Sequence, residues 1–304
     1  MPVTVLPWRH FLLALAVVAV WGSNFVVIHH GLEHFPPILF AALRFSFVLL
    51  PAVLFVKRPA VPWRHLAGYG LLIGAGQFAL LYLAMSGRIS PGLASLVMQV
   101  QVFITIGLSM WLTGERLRLS QGIALGLATA GILVIALHTD RTTTVLGLAL
   151  TIAAASCWAG GNIVGRLSGP VDMVGYVVWS SLFAAPPLIL LSLLAEGPEA
   201  VRQAIATASP AAWGAVVWQS WANSLFGYAI WGWLLARHSA ALVAPMALLV
   251  PVFGLGASAL LLGEALPPWK LAAGGLVIGG LAIGMFGSRL RLPLAAARRA
   301  GPAA

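Results

Sequence analysis

Runs of roughly twenty apolar residues follow one another along the whole chain, and this pattern limits the fold more than any other feature. A helix of that length crosses the roughly 30 Å hydrocarbon core of a bilayer. Hydrophobic residues make up 61% of the 304 residues and charged residues only 8%, about a third of the charged share of a soluble domain. The pattern predicts an all-α integral membrane protein that contacts the lipid bilayer.

Ten transmembrane helices are predicted from these runs. Most connections between them are short, as in a helical bundle, and the longest, residues 196–210, is predicted to be a surface helix or loop. The first run lacks a small-residue cleavage site, so we interpret it as a retained span. Numbered one to ten, the spans cover residues 11–30, 37–56, 66–86, 91–113, 119–137, 145–165, 173–195, 211–236, 239–262 and 269–287.

A repeat divides the chain into halves. Gly114-Glu115 follows span four and Gly263-Glu264 follows span nine. With five spans per half, the two glutamates lie on opposite sides of the membrane, which predicts inverted repeats around a central cavity. We expect each glutamate to cap the span that follows it, because a carboxylate is favoured at a helix N-terminus.

Span one also matches span six, since Trp21-Gly-Ser-Asn24 in one resembles Trp158-Ala-Gly-Gly-Asn162 in the other. The match needs a one-residue gap but falls at the same place in each half. The predicted units are therefore a first repeat at 1–138, a second, inverted repeat at 139–288, and a basic cytoplasmic tail at 289–304.

The net charge of +10 reflects membrane orientation. With both termini in the cytoplasm, twelve basic residues fall on that side and four (Arg88, Arg141, Arg202 and Lys270) on the other, as the positive-inside rule requires. No basic run with interleaved aromatics lies outside the spans, so nucleic acid is not an expected partner. The twelve are Arg9, Lys57, Arg58, Arg64, Arg116, Arg118, Arg166, Arg237, Arg289, Arg291, Arg298 and Arg299.

Small residues recur every four positions in the last span of each half, which permits close helix packing in lipid. This pattern is compatible with a monomer or a homodimer. The residues are Gly122, Gly126 and Ala130 in span five, and Gly275, Gly279, Gly280 and Gly284 in span ten.

Polar and aromatic side chains inside the spans are the candidates for a binding site, because each is costly in hydrocarbon unless it faces a cavity or a partner. Helical spacing assigns Phe78 and Tyr82 to one face of span three, with Gln77 pointing elsewhere. Span eight has two polar or aromatic faces, and the choice between them stays open. The predicted substrate-binding residues are Asn24, Phe78, Tyr82, Met98, Gln101, Trp158, Asn162, Trp218, Trp221 and Tyr228.

Arg44 is the one firmly charged residue within a predicted span. It either contacts a substrate carboxylate or pairs with helix carbonyls as a structural cation, and we favour the structural interpretation. Pro245 and Pro251 interrupt the hydrogen bonding of span nine and are predicted hinges.

Several kinds of chemistry lack carriers in the sequence. No Asp or Glu lies in the middle of a span, so a proton relay has no obvious carrier. Metalloprotease, P-loop and G-x-S-x-G motifs are missing. His30, His34 and Glu33 leave a metal-dependent membrane enzyme as the alternative from another class, but no cofactor or metal is expected.

Together these motifs resemble a known family. Trp21-Gly-Ser-Asn24-Phe25, Ala41-Ala42-Leu43-Arg44-Phe45 and Gly114-Glu115 are similar to motifs of the EamA-type transporters of the drug/metabolite transporter superfamily. The resemblance spans essentially the whole chain. It implies a ten-helix carrier in which spans one, three, four, six, eight and nine surround the cavity.

Within that superfamily the chain looks most like bacterial inner-membrane exporters of aromatic amino acids. The expected function is export of small neutral or zwitterionic metabolites, above all aromatic or hydrophobic amino acids, by alternating access and without proton coupling. The alternative within transport is a multidrug or other metabolite exporter.

Overall fold

The computed structural model describes residues 6–113, 119–139 and 142–286, and within these ranges the regular structure is entirely helical. Nine helices in this part of the chain are long and apolar enough to cross a membrane. They are Trp8–Leu32, Pro37–Leu54, Trp63–Met85, Pro91–Leu112, Leu119–Leu137, Val145–Leu167, Met173–Ala195, Ala244–Leu262 and Pro268–Phe286.

The segment predicted as span eight is helical throughout residues 210–237, yet it is not among the nine. Its middle carries Gln219, Asn223 and two serines, which lower the mean hydropathy. Gln219 and Asn223 are both buried: the Gln219 side chain contacts protein partners and Asn223 lines an internal cavity, so neither depends on lipid for its polar contacts.

The α-helices are numbered here in chain order, and four further helical segments are named by their geometry. Span three contains a π-helical segment at Gly70–Gln77 and span eight another at Trp218–Phe226, while 3₁₀ segments lie at Ala52–Leu54 in span two and at Ala244–Leu249 in span nine. The α-helices are α1 Trp8–Leu32, α2 Pro37–Leu49, α3 Trp63–Tyr69, α4 Phe78–Met85, α5 Pro91–Val97, α6 Val100–Thr113, α7 Leu119–Leu137, α8 Val145–Leu167, α9 Met173–Ala195, α10 Pro198–Thr207, α11 Pro210–Val217, α12 Gly227–Arg237, α13 Ala240–Val243, α14 Val250–Leu262 and α15 Pro268–Phe286.

Local sequence explains where many of these helices start and stop. Thr144 caps α8 by accepting a hydrogen bond from the Gly147 amide, and Asp172 caps α9 in the same manner. Helix α14 ends at Gly263, whose φ of 66° is left-handed and therefore suits glycine. The surface segment between spans seven and eight is the short helix α10.

Irregular helix geometry occurs in five spans: three and eight, four and nine, and span two, which ends in a 3₁₀ segment at Ala52–Leu54. The π-helical segments occupy the middle of spans three and eight. Span four is interrupted between α5 and α6, and span nine by its 3₁₀ segment. Pro245 lies at the start of that segment and Pro251 at the start of α14, so the predicted hinge prolines coincide with the interruption. Motion about them stays a prediction.

Spans five and ten pack against each other through part of their small residues. A Cβ at Gly280 would lie 2.7 Å from the Ala124 carbonyl oxygen, and one at Gly131 would lie 2.8 Å from a Val277 methyl group. By contrast, positions Gly126 and Gly275 have nothing within 4 Å of a built Cβ. One stripe of small residues therefore serves contact within the chain.

Partly buried carboxylates join the start of spans two and four to the second half of the chain. Glu196 accepts hydrogen bonds from the Ile38 and Leu39 amides at 2.7 and 2.9 Å. Glu264 accepts one from Gly92 in α5 at 3.0 Å and pairs with Lys270 at 2.9 Å. Both contacts join residues more than 150 positions apart in the chain.

The cap predicted for Glu264 is therefore wrong in its target, because tertiary packing brings the amide of Gly92 in α5 to its carboxylate. The carboxylate also accepts a hydrogen bond from the Ser90 hydroxyl. Its repeat counterpart, Glu115, lies outside the described residues, as does the tail at 289–304.

Candidate functional site

A cavity of about 680 Å³ is lined by residues of spans one, three, four, six, eight and nine, together with Arg44 of span two and Met173 and Tyr176 of span seven. Apolar and aromatic groups dominate its wall, which is typical of small-molecule sites. Amides are the most frequent polar residues of the lining, and among the described residues no carboxylate lines it. The lining includes Trp21, Asn24, Arg44, Tyr69, Gln77, Phe78, Met98, Gln99, Gln101, Trp158, Asn162, Tyr176, Asn223, Tyr228 and Trp231.

Most of the predicted site residues lie together on this cavity. The structure brings seven of the ten into its wall and adds Arg44. The seven are Asn24, Phe78, Met98, Gln101, Trp158, Asn162 and Tyr228.

The structure places the other three elsewhere. Tyr82 is fully buried behind the wall, where its hydroxyl donates to Gln219 Oε1 at 3.0 Å. Trp218 and Trp221 are 37% and 51% exposed, and neither lines the cavity. The Trp221 indole instead donates to the Phe47 carbonyl in α2 at 3.3 Å.

The π-helical segments account for part of the difference between the predicted and the observed helix faces. Face assignment assumed 3.6 residues per turn, whereas a π-helix bonds i to i+5 and turns more slowly. In span eight this places Asn223 and Tyr228, assigned to different faces, on the same cavity. In span three it brings Gln77 to the wall beside Phe78, contrary to the expectation that Gln77 points elsewhere.

An aromatic cluster forms one side of the cavity. The Trp21 ring lies 5.2 Å from the Trp231 ring and 5.8 Å from the Tyr228 ring. The Trp21 indole also donates to the Asn223 carbonyl at 3.0 Å, which holds spans one and eight together. Sequence reasoning used Trp21 only as a repeat marker and missed Trp231. The repeat contained a signal for Trp21, because Trp21 precedes Asn24 as Trp158 precedes Asn162.

Amides connect spans four and six on another side. Asn162 Nδ2 donates to Gln101 Oε1 at 2.9 Å and to Thr105 Oγ1 at 3.3 Å. Gln101 and Asn162, both predicted substrate-binding residues, are thus in contact with each other. Because an amide side chain carries both donors and an acceptor, the pair retains free capacity toward the cavity.

The repeat partner of Asn162, Asn24, belongs to a network around Gln219. Gln219 Nε2 donates to Asn24 Oδ1 at 2.7 Å, and Asn24 Nδ2 lies 3.4 Å from Gln219 Oε1. Arg44 Nη1 donates to the same Gln219 oxygen, and Arg44 Nη2 donates to Ser224 Oγ at 2.9 Å. Three donors, counting the Tyr82 hydroxyl, thus converge on one amide oxygen.

Arg44 is only 2% exposed, and its guanidinium lies 3.8 Å from the centre of the Phe78 ring. Its partners are side chains, not the helix carbonyls that the structural interpretation invoked. Within the described ranges, no carboxylate pairs with it, and its Nε has no hydrogen-bond partner.

The histidines considered for a metal site lie outside the cavity wall. His29 and His30 contact Glu33 at 3.8 and 3.2 Å at the end of α1. In the part of the chain that the structure describes, no group of three or more His, Cys, Asp or Glu is placed to hold a metal ion.

Comparisons with known proteins agree with this architecture. The model of the EamA-like transporter family matches twice, at residues 8–137 and 145–286. A solved crystal structure, 20% identical, covers 93% of this chain and 99% of its own with a TM-score of 0.62, which supports the fold alone.

Curated relatives cover most of the chain. The "Probable amino-acid metabolite efflux pump" of Salmonella typhimurium is 44% identical over 92% of this chain and 95% of its own. The Escherichia coli protein with the same description is 41% identical over the same shares. A "Probable terminal-alkyne amino-acid exporter" of Streptantibioticus cattleyicolor is 29% identical over 88% of this chain and 90% of its own.

The family match and the descriptions of the curated relatives indicate a multi-pass membrane transporter. The chain belongs to the EamA-like transporter family. The narrower resemblance, to aromatic amino acid exporters of the YddG type, stays a prediction.

Proposed function

We propose that this protein is a bacterial inner-membrane carrier that exports amino acids and similar zwitterionic metabolites, with aromatic and hydrophobic side chains preferred. The observation that carries the proposal is the cavity of about 680 Å³, which combines an aromatic wall with amides and one arginine. Aromatic rings pack against an apolar side chain, while amides and the guanidinium hydrogen-bond the charged head group. The descriptions of the curated relatives as amino-acid efflux proteins support the same class.

The proposed architecture is ten transmembrane helices in two inverted repeats, at 1–138 and 139–288, with 289–304 as a basic tail. Three observations support it. The family model matches each half once. The π-helical segments occur in spans three and eight, and the interruptions in spans four and nine, which are equivalent positions five spans apart. Span eight then crosses the membrane with its polar residues buried against spans one and two.

The cavity in this structure is proposed to face the cytoplasm. Its wall reaches residues 165–173 and Leu235 and Ala236, at the ends of spans six and eight that the positive-inside rule assigns to the cytoplasm. The opposite side is closed by the Glu196 and Glu264 contacts across the halves. Alternating access then requires these outer contacts to open while the inner ends of the spans close.

Transport is proposed to proceed down the gradient of the substrate, because no carboxylate lines the cavity within the described residues. The test is uptake of labelled phenylalanine into proteoliposomes with and without an imposed pH gradient. Saturable uptake that is independent of the gradient supports the proposal, and strict dependence on it overturns the uncoupled mechanism. Competition by lipophilic cations, but not by amino acids, would assign the protein to drug export instead.

A further inference from the structure

The network around Gln219 contains more donors than its acceptor can serve. The amide oxygen of Gln219 receives Arg44 Nη1, the Tyr82 hydroxyl and Asn24 Nδ2, although a carbonyl oxygen has two lone pairs. Arg44 Nε, which is buried, has no acceptor at all. The cluster therefore lacks acceptor atoms and negative charge.

A cation so deeply buried is expensive unless an anion compensates it. Arg44 is 2% exposed, and its described partners (Gln219, Ser224, Tyr82 and the Phe78 ring) are all neutral. A carboxylate would supply both the missing charge and up to four acceptor sites. Since Arg44 and Asn24 form part of the cavity wall, a molecule in the cavity has access to this cluster.

Gln77, by contrast, has an acceptor that lacks a hydrogen-bond donor. Its side chain is 3% exposed, it belongs to the same cavity wall, and its Oε1 is buried without a donor. Gln77 immediately precedes Phe78, and the Arg44 guanidinium stacks on the Phe78 ring. The unpaired oxygen of Gln77 therefore belongs to the residue next to Phe78, and the Phe78 ring stacks against Arg44, whose Nε lacks an acceptor.

We infer that Arg44, with Asn24, binds the carboxylate of the substrate and that Gln77 Oε1 accepts a hydrogen bond from its ammonium group. This assignment rests on the proposed function and specifies its substrate class as zwitterionic α-amino acids. The aromatic cluster of Trp21, Tyr228 and Trp231 is left to contact the side chain. Charged hydrogen bonds make the head group, rather than the side chain, the required part of the ligand.

The first test compares three ligands on the full-length wild-type protein in detergent, with thermal unfolding as the readout. Phenylalanine has both charges, phenylalaninamide lacks the carboxylate, and 3-phenylpropionate lacks the ammonium. We expect phenylalanine to stabilise most, and its amide to need an about 10- to 100-fold higher concentration for the same shift. The inference would be overturned if phenylalanine and its amide stabilised the protein equally. It would also be overturned if neither phenylalanine nor 3-phenylpropionate stabilised it.

The second test moves the selectivity with single substitutions. Arg44→Lys keeps the charge but loses the planar fork, so the preference for phenylalanine over its amide should shrink. Gln77→Leu removes the acceptor, so phenylalanine should lose its advantage over 3-phenylpropionate. Arg202→Gln, which removes an exposed arginine from α10, is the matched control and should leave both ratios unchanged. Variants that unfold less readily or more readily with unchanged ratios would show a structural role only.

The two proposals fail separately. If wild-type proteoliposomes transport phenylalanine but are equally inhibited by its amide, the function stands and the head-group assignment falls. If phenylalanine stabilises the protein more than its amide and 3-phenylpropionate do, yet no amino acid is transported, the head-group assignment stands and the proposed transport function falls.

Discussion

Tryptophans that look alike in the sequence lie in different surroundings in the structure. Trp158 lies in the wall, whereas Trp218 and Trp221 lie on the surface of the helix bundle. All three are tryptophans within predicted spans, so composition and depth do not separate them. The difference lies in how span eight turns through its π-helical segment.

Replacing Trp158 with alanine should weaken phenylalanine transport about tenfold, because loss of an aromatic contact of about 1.4 kcal/mol corresponds to that factor. Trp218→Ala should leave the apparent affinity within about twofold, since that ring does not reach the cavity. The measurement is the concentration dependence of initial uptake into proteoliposomes at matched protein content. Equal effects of the two substitutions would contradict the assignment of the wall.

At the scale of whole elements, small residues allow spans one, four and nine to pack closely against each other. A Cβ at Gly22 in α1 would lie 2.5 Å from the Val250 carbonyl oxygen in span nine. In α14, a Cβ at Gly254 would overlap the Ser95 side chain of α5. Spans one, four and nine thus meet backbone to backbone beside the cavity, as small residues permit in membrane proteins.

Two glycines of α14 provide a matched test of this packing. Gly254→Ala should destabilise the protein by about 1–3 kcal/mol, because the new methyl group would clash with Ser95. Gly256→Ala, with nothing within 4 Å of the new methyl group, should be neutral or more stable by about 0.4–1 kcal/mol. Thermal unfolding in detergent measures both. A Gly254→Ala protein as stable as the Gly256→Ala protein would show that these helices are not closely packed.

For the molecule as a whole, the carboxylate contacts of Glu196 and Glu264 join the two halves on the proposed outer side. Glu264 is 8% exposed and pairs with Lys270, which is equally buried. Glu264→Gln keeps the shape of the side chain but leaves the Lys270 charge unpaired, which is costly. We therefore expect this substitution to weaken the outer closure and to populate the outward-open state.

The measurement is labelling of a cysteine placed at Met98 in the cavity, in a Cys157→Ala background, with a membrane-impermeant maleimide added from outside. Labelling should rise several-fold on Glu264→Gln. Glu199→Gln, which breaks an exposed pair with Arg202 on α10, should not change it. Reduced labelling in the Glu264→Gln protein would show that this contact does not hold the outer side closed.

Prediction from the sequence was accurate where the bilayer controls the structure. The ends of most spans agree with the observed helices within a few residues, because hydrocarbon demands long apolar segments with internally satisfied backbones. Span eight shows the limit of that rule, since its buried amides reduce its hydropathy although its residues are helical throughout. Asn24 and Asn162 could also be found, because the two halves repeat the same motif.

The wall residues that the sequence analysis missed could not be found in this way, because their positions depend on helix rotation and on contacts between distant residues. Gln77 and Asn223 face the cavity because π-helical turns alter the angular positions that a period of 3.6 residues predicts. Glu264 caps α5 rather than the helix that follows it in sequence. Hydropathy and the repeated motifs therefore predicted the long helices and the two halves, whereas local helix geometry and packing between the halves decided which side chains line the cavity.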